Sequence, residues 1–325
     1  MQSRFSLSVM AAALGLALTL ASQAASAQDS ASTVTVTQQG NGNTSHAEQS
    51  TGVYDFNNVT AAITQIGNNN HVGGPGSTTG GLLQINSGGN LDARIQQTGV
   101  GNNAGITQID VIAPTFPVTA EITQVGSNNT ATLRQTLTSD LSAVLIQNGN
   151  GNVSAVEQQE SIPGTARTTQ TGDNNIATVS QRGTGYASPR ITQDGEGNVA
   201  SAVVDVNVFG GPLIEQTGFA NHASTLQTDT EASDIRIRQT GSDNRADASQ
   251  SGNRDHQIDI DQNGIGNVAT VSQLGMGPAT FDSGNSAIIA QFGNSNTAIV
   301  RQVGQYYVAN VNQTGSNNYT NIYQH

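Results

Sequence analysis

Apolar and polar residues alternate along most of this chain in short runs, and Gly-x-x-Asn breaks one run from the next. The pattern is clearest in AEITQVGSNNTATLRQ (120–135) and AIIAQFGNSNTAIVRQ (287–302). Strict alternation is the signature of a β-strand with one buried face. Glycine enters positive φ without a Cβ penalty and asparagine tolerates it better than most residues, so Gly-x-x-Asn predicts a turn. The local unit is therefore strand, turn, strand, turn.

The unit repeats. Gln-x-Gly-x-x-Asn starts at Gln147, Gln170, Gln193, Gln216, Gln239 and Gln262, each 23 residues after the last. Its asparagines are Asn152, Asn175, Asn198, Asn221, Asn244 and Asn267, and its turn glycines are Gly149, Gly172, Gly195, Gly218, Gly241 and Gly264. A second glutamine follows 11 residues after the first, at Gln158, Gln181, Gln227, Gln250 and Gln273, with Val204 as the substitute. Outside this regular block, about 141–273, the first glutamine recurs at Gln38, Gln65, Gln97 and Gln124 and again at Gln291 and Gln313. The last two units add Gly293, Asn296 and Gln302, then Gly315, Asn318 and Gln324. Extra residues fall near 50–58, 68–81, 110–117 and 277–286, where loops are expected to decorate a regular core.

One strand pair of this size is not stable alone, so the units must stack. The expected fold is all-β, a cross-β solenoid of about twelve strand-turn-strand coils with roughly 23 residues each. In the Gln262 coil the inward positions are expected to be Ile258, Ile260, Gln262 and Gly264, then Asn267, Ala269, Val271 and Gln273. A buried, unpaired amide costs about 1–3 kcal/mol. Stacked amides escape that cost, because each donates to its copy in one neighbouring coil and accepts from its copy in the other. These glutamines and asparagines are the expected core ladder.

The outward positions keep the same register. Glu215, Arg238 and Asp261 lie 23 residues apart and predict a charge column, with Arg236 and Asp259 beside it and Arg134 above Glu157. Exposed pairs contribute only about 0.2–1 kcal/mol each. Their sharper use is to penalise a slipped register.

Composition changes the picture only in the light of the repeat. At 35% hydrophobic and 4% aromatic residues, with 37 glycines, the chain would read as disordered were its polar groups not repeated in register. The first 27 residues read as a secretory signal peptide. Arg4 supplies the positive start, Met10–Leu20 is a short apolar run, and Ala25-Ser26-Ala27 predicts cleavage between Ala27 and Gln28. Residues 28–37 are then a short leader and 38–325 the repeat domain. The run is too short for a bilayer span, and no later segment predicts membrane insertion. Loss of Arg4 leaves ten arginines and no lysine against 23 acidic residues, a net charge of −13 that opposes binding to nucleic acid and anionic lipid. There is no cysteine, so disulfides cannot staple the exported chain. An enzyme is not expected, nor a cofactor or metal. His46, His71, His222, His256 and His325 fall in different units without partners at fixed spacing and read as scattered surface residues.

The unit Gln-x-Gly-x-x-Asn-x-Ala-x-x-x-Gln, reiterated from about Gln38 to Gln324 behind a secretory signal, resembles the curlin repeat of bacterial curli subunits. The resemblance implies an extracellular cell-surface fibre of functional amyloid, made for biofilm matrix and cell adhesion. It implies a homopolymer closer to the major subunit than to the nucleator. It also implies a curli-type nucleator, an outer-membrane export pore and periplasmic chaperones as partners. On that likeness the fibre core falls on the amides already named. Both ends of the repeat domain, STVTVTQQG and QTGSNNYTNIYQH, lack the charge and proline that blunt natural strand edges. Tyr306, Tyr307, Tyr319 and Tyr323 are expected to reinforce the last coils. The alternative is a monomeric secreted β-solenoid, an adhesin or an ice- or surface-binding protein, for which Thr33-Val34-Thr35-Val36-Thr37 and Thr130-Ala131-Thr132 offer only a partial threonine array.

Overall fold

The computed structural model describes residues 4–10, 18–23, 32–50, 58–73, 78–85, 88–160, 164–252, 254–276 and 284–325. These residues form an all-β parallel solenoid of about eleven turns, about 23 residues per turn, without a helix. The chain divides into two compact units, Met1–Ala166 and Arg167–His325.

In the first unit, Ser32–Gln39, Val59–Asn68, Gly88–Val100, Ile112–Ser127 and Leu141–Asn150 build one parallel sheet. Its register aligns Gln38, Gln65, Gln97, Gln124 and Gln147 in one row. A second sheet takes the other strand of each coil, Thr44–Ser50, Leu82–Ile85, Asn103–Ile109, Thr130–Thr136 and Val153–Gln159. In the second unit, Arg190–Glu196, Leu213–Phe219, Gln257–Ile265, Ser286–Asn294 and Val308–Ser316 build a parallel sheet with one end of the long strand His222–Ser242. Its second sheet holds Ile176–Arg182, Val199–Gly210, Arg245–Ser251, Val268–Leu274, Thr297–Val303 and Tyr319–Gln324, with the other end of His222–Ser242 among them.

The core is the space between the two sheets, and alternation fills it. Ile258, Ile260, Gln262, Asn267, Ala269, Val271 and Gln273 are all at most 1% exposed, while the residues between them face out. Columns such as Ile191, Ile214, Ile237, Ile260 and Ile289 run the length of the second unit. Each buried aliphatic side chain adds about 1.5–3 kcal/mol, which stacking delivers and an isolated hairpin would not. Gly264 departs from the inward set expected for it. It is half-buried, still within its strand, and turned toward the next coil.

The extra residues do not all sit in turns. Between Asn68 and Gly81 they split a second strand: His71–Val72 pairs with Thr44–Ser45, and Leu82–Ile85 resumes against Ala47–Ser50. Those around 110–117 enter the strand Ile112–Ser127, where the register against Gly88–Val100 shifts between Ala113 and Val118. Pro114 and Pro117 cannot donate to a ladder, and such a break is where a sheet tolerates them. Most of the extra residues at 50–58 and 277–286, at 51–57 and 277–283, lie outside the described residues, as does the expected cleavage point at Ala27 and Gln28.

Arg4–Met10 and Leu18–Gln23, in the expected signal peptide, pair antiparallel with Thr44–Ser50 and with Ser32–Gln39. The uncharged edge that sequence leaves uncapped is thus covered by the chain's own first residues. An open row of backbone donors and acceptors recruits any strand within reach. The strand Ser32–Gln39 also begins inside the stretch assigned to the leader.

Candidate functional site

Three columns of amides run through the interior. In the first unit, Gln38, Gln65 and Gln97 each donate from Nε2 to Oε1 of the next glutamine, and Gln124 donates likewise to Gln147, at 2.6–2.9 Å. In the second unit the chain runs Gln170, Gln193, Gln216, Gln239, Gln262, Gln291 and Gln313, at 2.8–2.9 Å. The second hydrogen of each Nε2 is also used. Gln193 donates to the carbonyl of Ile176, Gln216 to Val199, Gln239 to His222 and Gln262 to Arg245, across the core at 2.9–3.0 Å. Fully buried amides with both hydrogens bonded carry none of the desolvation cost that made them improbable as core residues.

The second-strand glutamines form a parallel column. Gln49, Gln84, Gln108, Gln135 and Gln158 are linked in the first unit, and Gln227, Gln250, Gln273, Gln302 and Gln324 in the second. Val204 is buried in the row and has no amide to give. Asn207, three residues on, donates to Gln227 Oε1 at 3.4 Å and takes over part of the missing rung. Sequence reading missed this replacement because Asn207 lies outside the repeat pattern. Gln181 turns its Nε2 to the carbonyl of Ala187.

The asparagine column runs the other way. Asn198 donates to Asn175 Oδ1, Asn221 to Asn198, Asn244 to Asn221 and Asn267 to Asn244, at 3.0–3.1 Å. Each Oδ1 also accepts the backbone N–H of the next asparagine, as Asn129 does from Asn152 and Asn296 from Asn318. Each Nδ2 reaches a glycine carbonyl in the following coil: Asn175 to Gly195, Asn221 to Gly241, Asn267 to Gly293. These glycines are fixed by contact as well as by φ. A Cβ on Gly172, Gly195, Gly218, Gly241, Gly264 or Gly293 would stand 1.9–2.1 Å from the carbonyl oxygen of the equivalent glycine one coil on. Gly149 has the same left-handed backbone. Gly315, in the last coil, has open space where that carbonyl would be.

The columns are polar, and their ends differ. At the N-terminal end Gln38 Oε1 is buried without a hydrogen-bond partner among the described residues. At the C-terminal end Gln313 Nε2 keeps the usual cross-core bond, to Thr297 O at 3.0 Å, but the hydrogen that in every linked coil before it meets the next glutamine goes instead to Thr320 Oγ1 at 3.1 Å. Gln324 donates to Val308 O. Tyr319 and Tyr323 are exposed, and Tyr323 stacks on His325 and lies under Arg301. Tyr306 is exposed as well.

The charge column lies where the register puts it. Arg238 sits between Glu215 at 3.5 Å and Asp261 at 3.4 Å, Arg236 approaches Asp259 at 3.9 Å, and Arg134 approaches Glu157 at 3.9 Å. All are at least a third exposed, so each is a weak contact. Asp259 is held above the usual carboxylate range, first by burial and then by the charge of Asp261, against the pull of Arg238. Its contact with Arg236 therefore does not make the charged form comfortable.

Of the five histidines expected at the surface, His256 is buried at 1%. Among the described residues no group of three or more histidine or acidic side chains could hold a metal ion. A scan against protein-family models and a search of curated proteins give no match to this chain.

Proposed function

We propose that this protein is the structural subunit of an extracellular curli-like functional amyloid, joining end to end through its glutamine and asparagine columns to form fibres for biofilm matrix and cell adhesion. The role is mechanical rather than catalytic, and the main partner is a second copy of the same chain. A nucleator, an export pore and chaperones of the curli type follow from the same likeness.

The observation that carries this reading is the mismatch of the column ends. One end keeps a buried amide oxygen without a donor among the described residues, Gln38 Oε1, and the other keeps one amide hydrogen diverted to a makeshift acceptor, from Gln313 to Thr320 Oγ1. A donor of the second kind is what the first lacks, so stacking one chain's last coil on another's first would continue the column. Gly315 already has the shape for a further coil, since any Cβ there would obstruct it as it would in the coils before.

The test is growth. Residues 28–325 are expected to elongate after a lag that preformed fragments abolish, followed by thioflavin T and electron microscopy. Gln38→Leu removes the open acceptor and is expected to slow seeded elongation about tenfold, the equivalent of about 1.4 kcal/mol for one buried hydrogen bond. The full chain, whose Leu18–Gln23 strand occupies that edge, is expected to seed poorly. A species that stays monomeric and dye-negative at high concentration would sink the proposal in favour of a monomeric surface binder.

A further inference from the structure

The loop-side corner, where one coil climbs to the next, has a ladder of its own in the second unit. Ser233, His256 and Asn285 stand one above another, each six residues before a first-strand glutamine. Ser233 Oγ accepts the backbone N–H of His256 at 3.1 Å. His256 Nδ1 accepts the backbone N–H of Asn285 at 3.0 Å, and Asn285 Oδ1 accepts that of Tyr307 at 3.0 Å. The position demands an acceptor facing the coil above, and histidine supplies one only while Nδ1 carries no proton. The other ring nitrogen is committed too. Nε2 lies 2.6 Å from the carbonyl oxygen of Gly252, which can only accept, so Nε2 holds the hydrogen. Both contacts fix one neutral tautomer.

We propose that His256 is a proton-operated joint between two coils of the solenoid, closed when the ring is neutral and opened when it is protonated. Protonation places an N–H on Nδ1 against the N–H of Asn285, removing one hydrogen bond and facing two donors at each other inside a buried corner. The coil that begins with Asn285 is the one held by this contact. The inference stands on the solenoid itself and does not depend on whether copies join.

The charges around the corner are few. Glu231 and Asp234 belong to the coil below, and Arg254 and Asp255 to the histidine's own. Arg254 is paired with Glu231, while the charge of Asp255 and the Gly252 carbonyl favour the protonated ring. Burial outweighs both and holds the value below the usual 6.5. On the side above, Gly284, Asn285 and Ser286 carry no charge. The sign follows. The folded corner prefers the neutral ring, so its contribution is complete above about pH 6.5, declines as pH falls, and is gone below the lowered folded value.

Hydrogen exchange on the purified chain between pH 8 and pH 4.5, corrected for intrinsic rates, tests the joint. Opening of 254–260 and 284–289 is expected to increase about tenfold per pH unit below about 6.5 and then level off. His256→Asn places at the corner the acceptor used one coil above, and is expected to flatten that dependence while preserving neutral-pH protection. Because burial also lowers the value of His71, the variant rather than the curve alone decides. Ring nitrogen NMR shifts give a readout independent of stability: the Nε2–H tautomer is expected at neutral pH. An Nδ1–H tautomer, or the same pH dependence in wild type and His256→Asn, would overturn the joint.

Discussion

The two corners of each coil follow different rules. At the Gly-x-x-Asn corner every coil presents the same asparagine and the same glycine, and the side chain bonds both to the coil before and to the coil after. At the other corner the equivalent buried position is Val59, Leu91, Val118 and Leu141 in the first unit, then Ala187, Ser233, His256 and Asn285 in the second. The difference lies in what occupies the space between coils. The first corner stacks so closely that only hydrogen on the α-carbon and one amide of fixed length fit. The second leaves room for apolar packing, for a hydroxyl and for an imidazole.

Gly264→Ala should break the constrained corner most severely. The new methyl would meet the Gly293 carbonyl at 1.9 Å, and the residue would have to hold a φ of +135°. Strain of this kind alone costs roughly 1–3 kcal/mol, and the clash adds to it, so a loss above about 3 kcal/mol is expected in urea unfolding. The same substitution at Gly315 should cost much less in the isolated chain, where nothing overlies it, but should block growth from that end.

Asn221→Ala comes next. It removes donors to Asn198 and Gly241 and the acceptor used by both the backbone and the side chain of Asn244. Leaving buried partners unmet costs about 1–3 kcal/mol. Ser233→Ala, at the tolerant corner, removes the acceptor of the His256 N–H and a donor to the Glu231 carbonyl, which the Asp255 N–H still meets, and should lie at the low end of that range. Equal losses from the two would erase the distinction between the corners.

What sequence could show follows the same division. The 23-residue step, the strand pattern and the amide columns were legible because each inward position sees a copy of itself and so repeats its chemistry. The charge column was legible for the same reason, one residue further out. The second corner was not. Besides glycines such as Gly183 and Gly252, its left-handed positions are filled by Tyr186, Val206, Phe209, Asp229, Ala232 and Asp255, of which only the aspartates announce a turn. The burial of His256 was hidden too, since one histidine at a position also filled by alanine, serine and asparagine makes no pattern. The antiparallel strands of the first 23 residues were masked by their reading as a targeting segment.

Val206 offers the finest test, and the expected change has the opposite sign. It is a β-branched residue at φ 50°, half exposed, on the tolerant corner. The left-handed conformation costs an L-residue with a Cβ roughly 1–2 kcal/mol, and branching at Cβ makes it an outlier. Glycine already occupies the equivalent place at Gly183 and Gly252, with φ of 56° and 69°. Val206→Gly should therefore recover the strain and lose about 0.5–1 kcal/mol to the greater freedom of glycine in the unfolded chain. The expected net is a stabilisation of about 0.5–1 kcal/mol, read as a higher urea midpoint at unchanged slope. A clear destabilisation would mean that the exposed valine packs against its neighbours strongly enough to outweigh its backbone, and that the second corner is as tightly specified as the first.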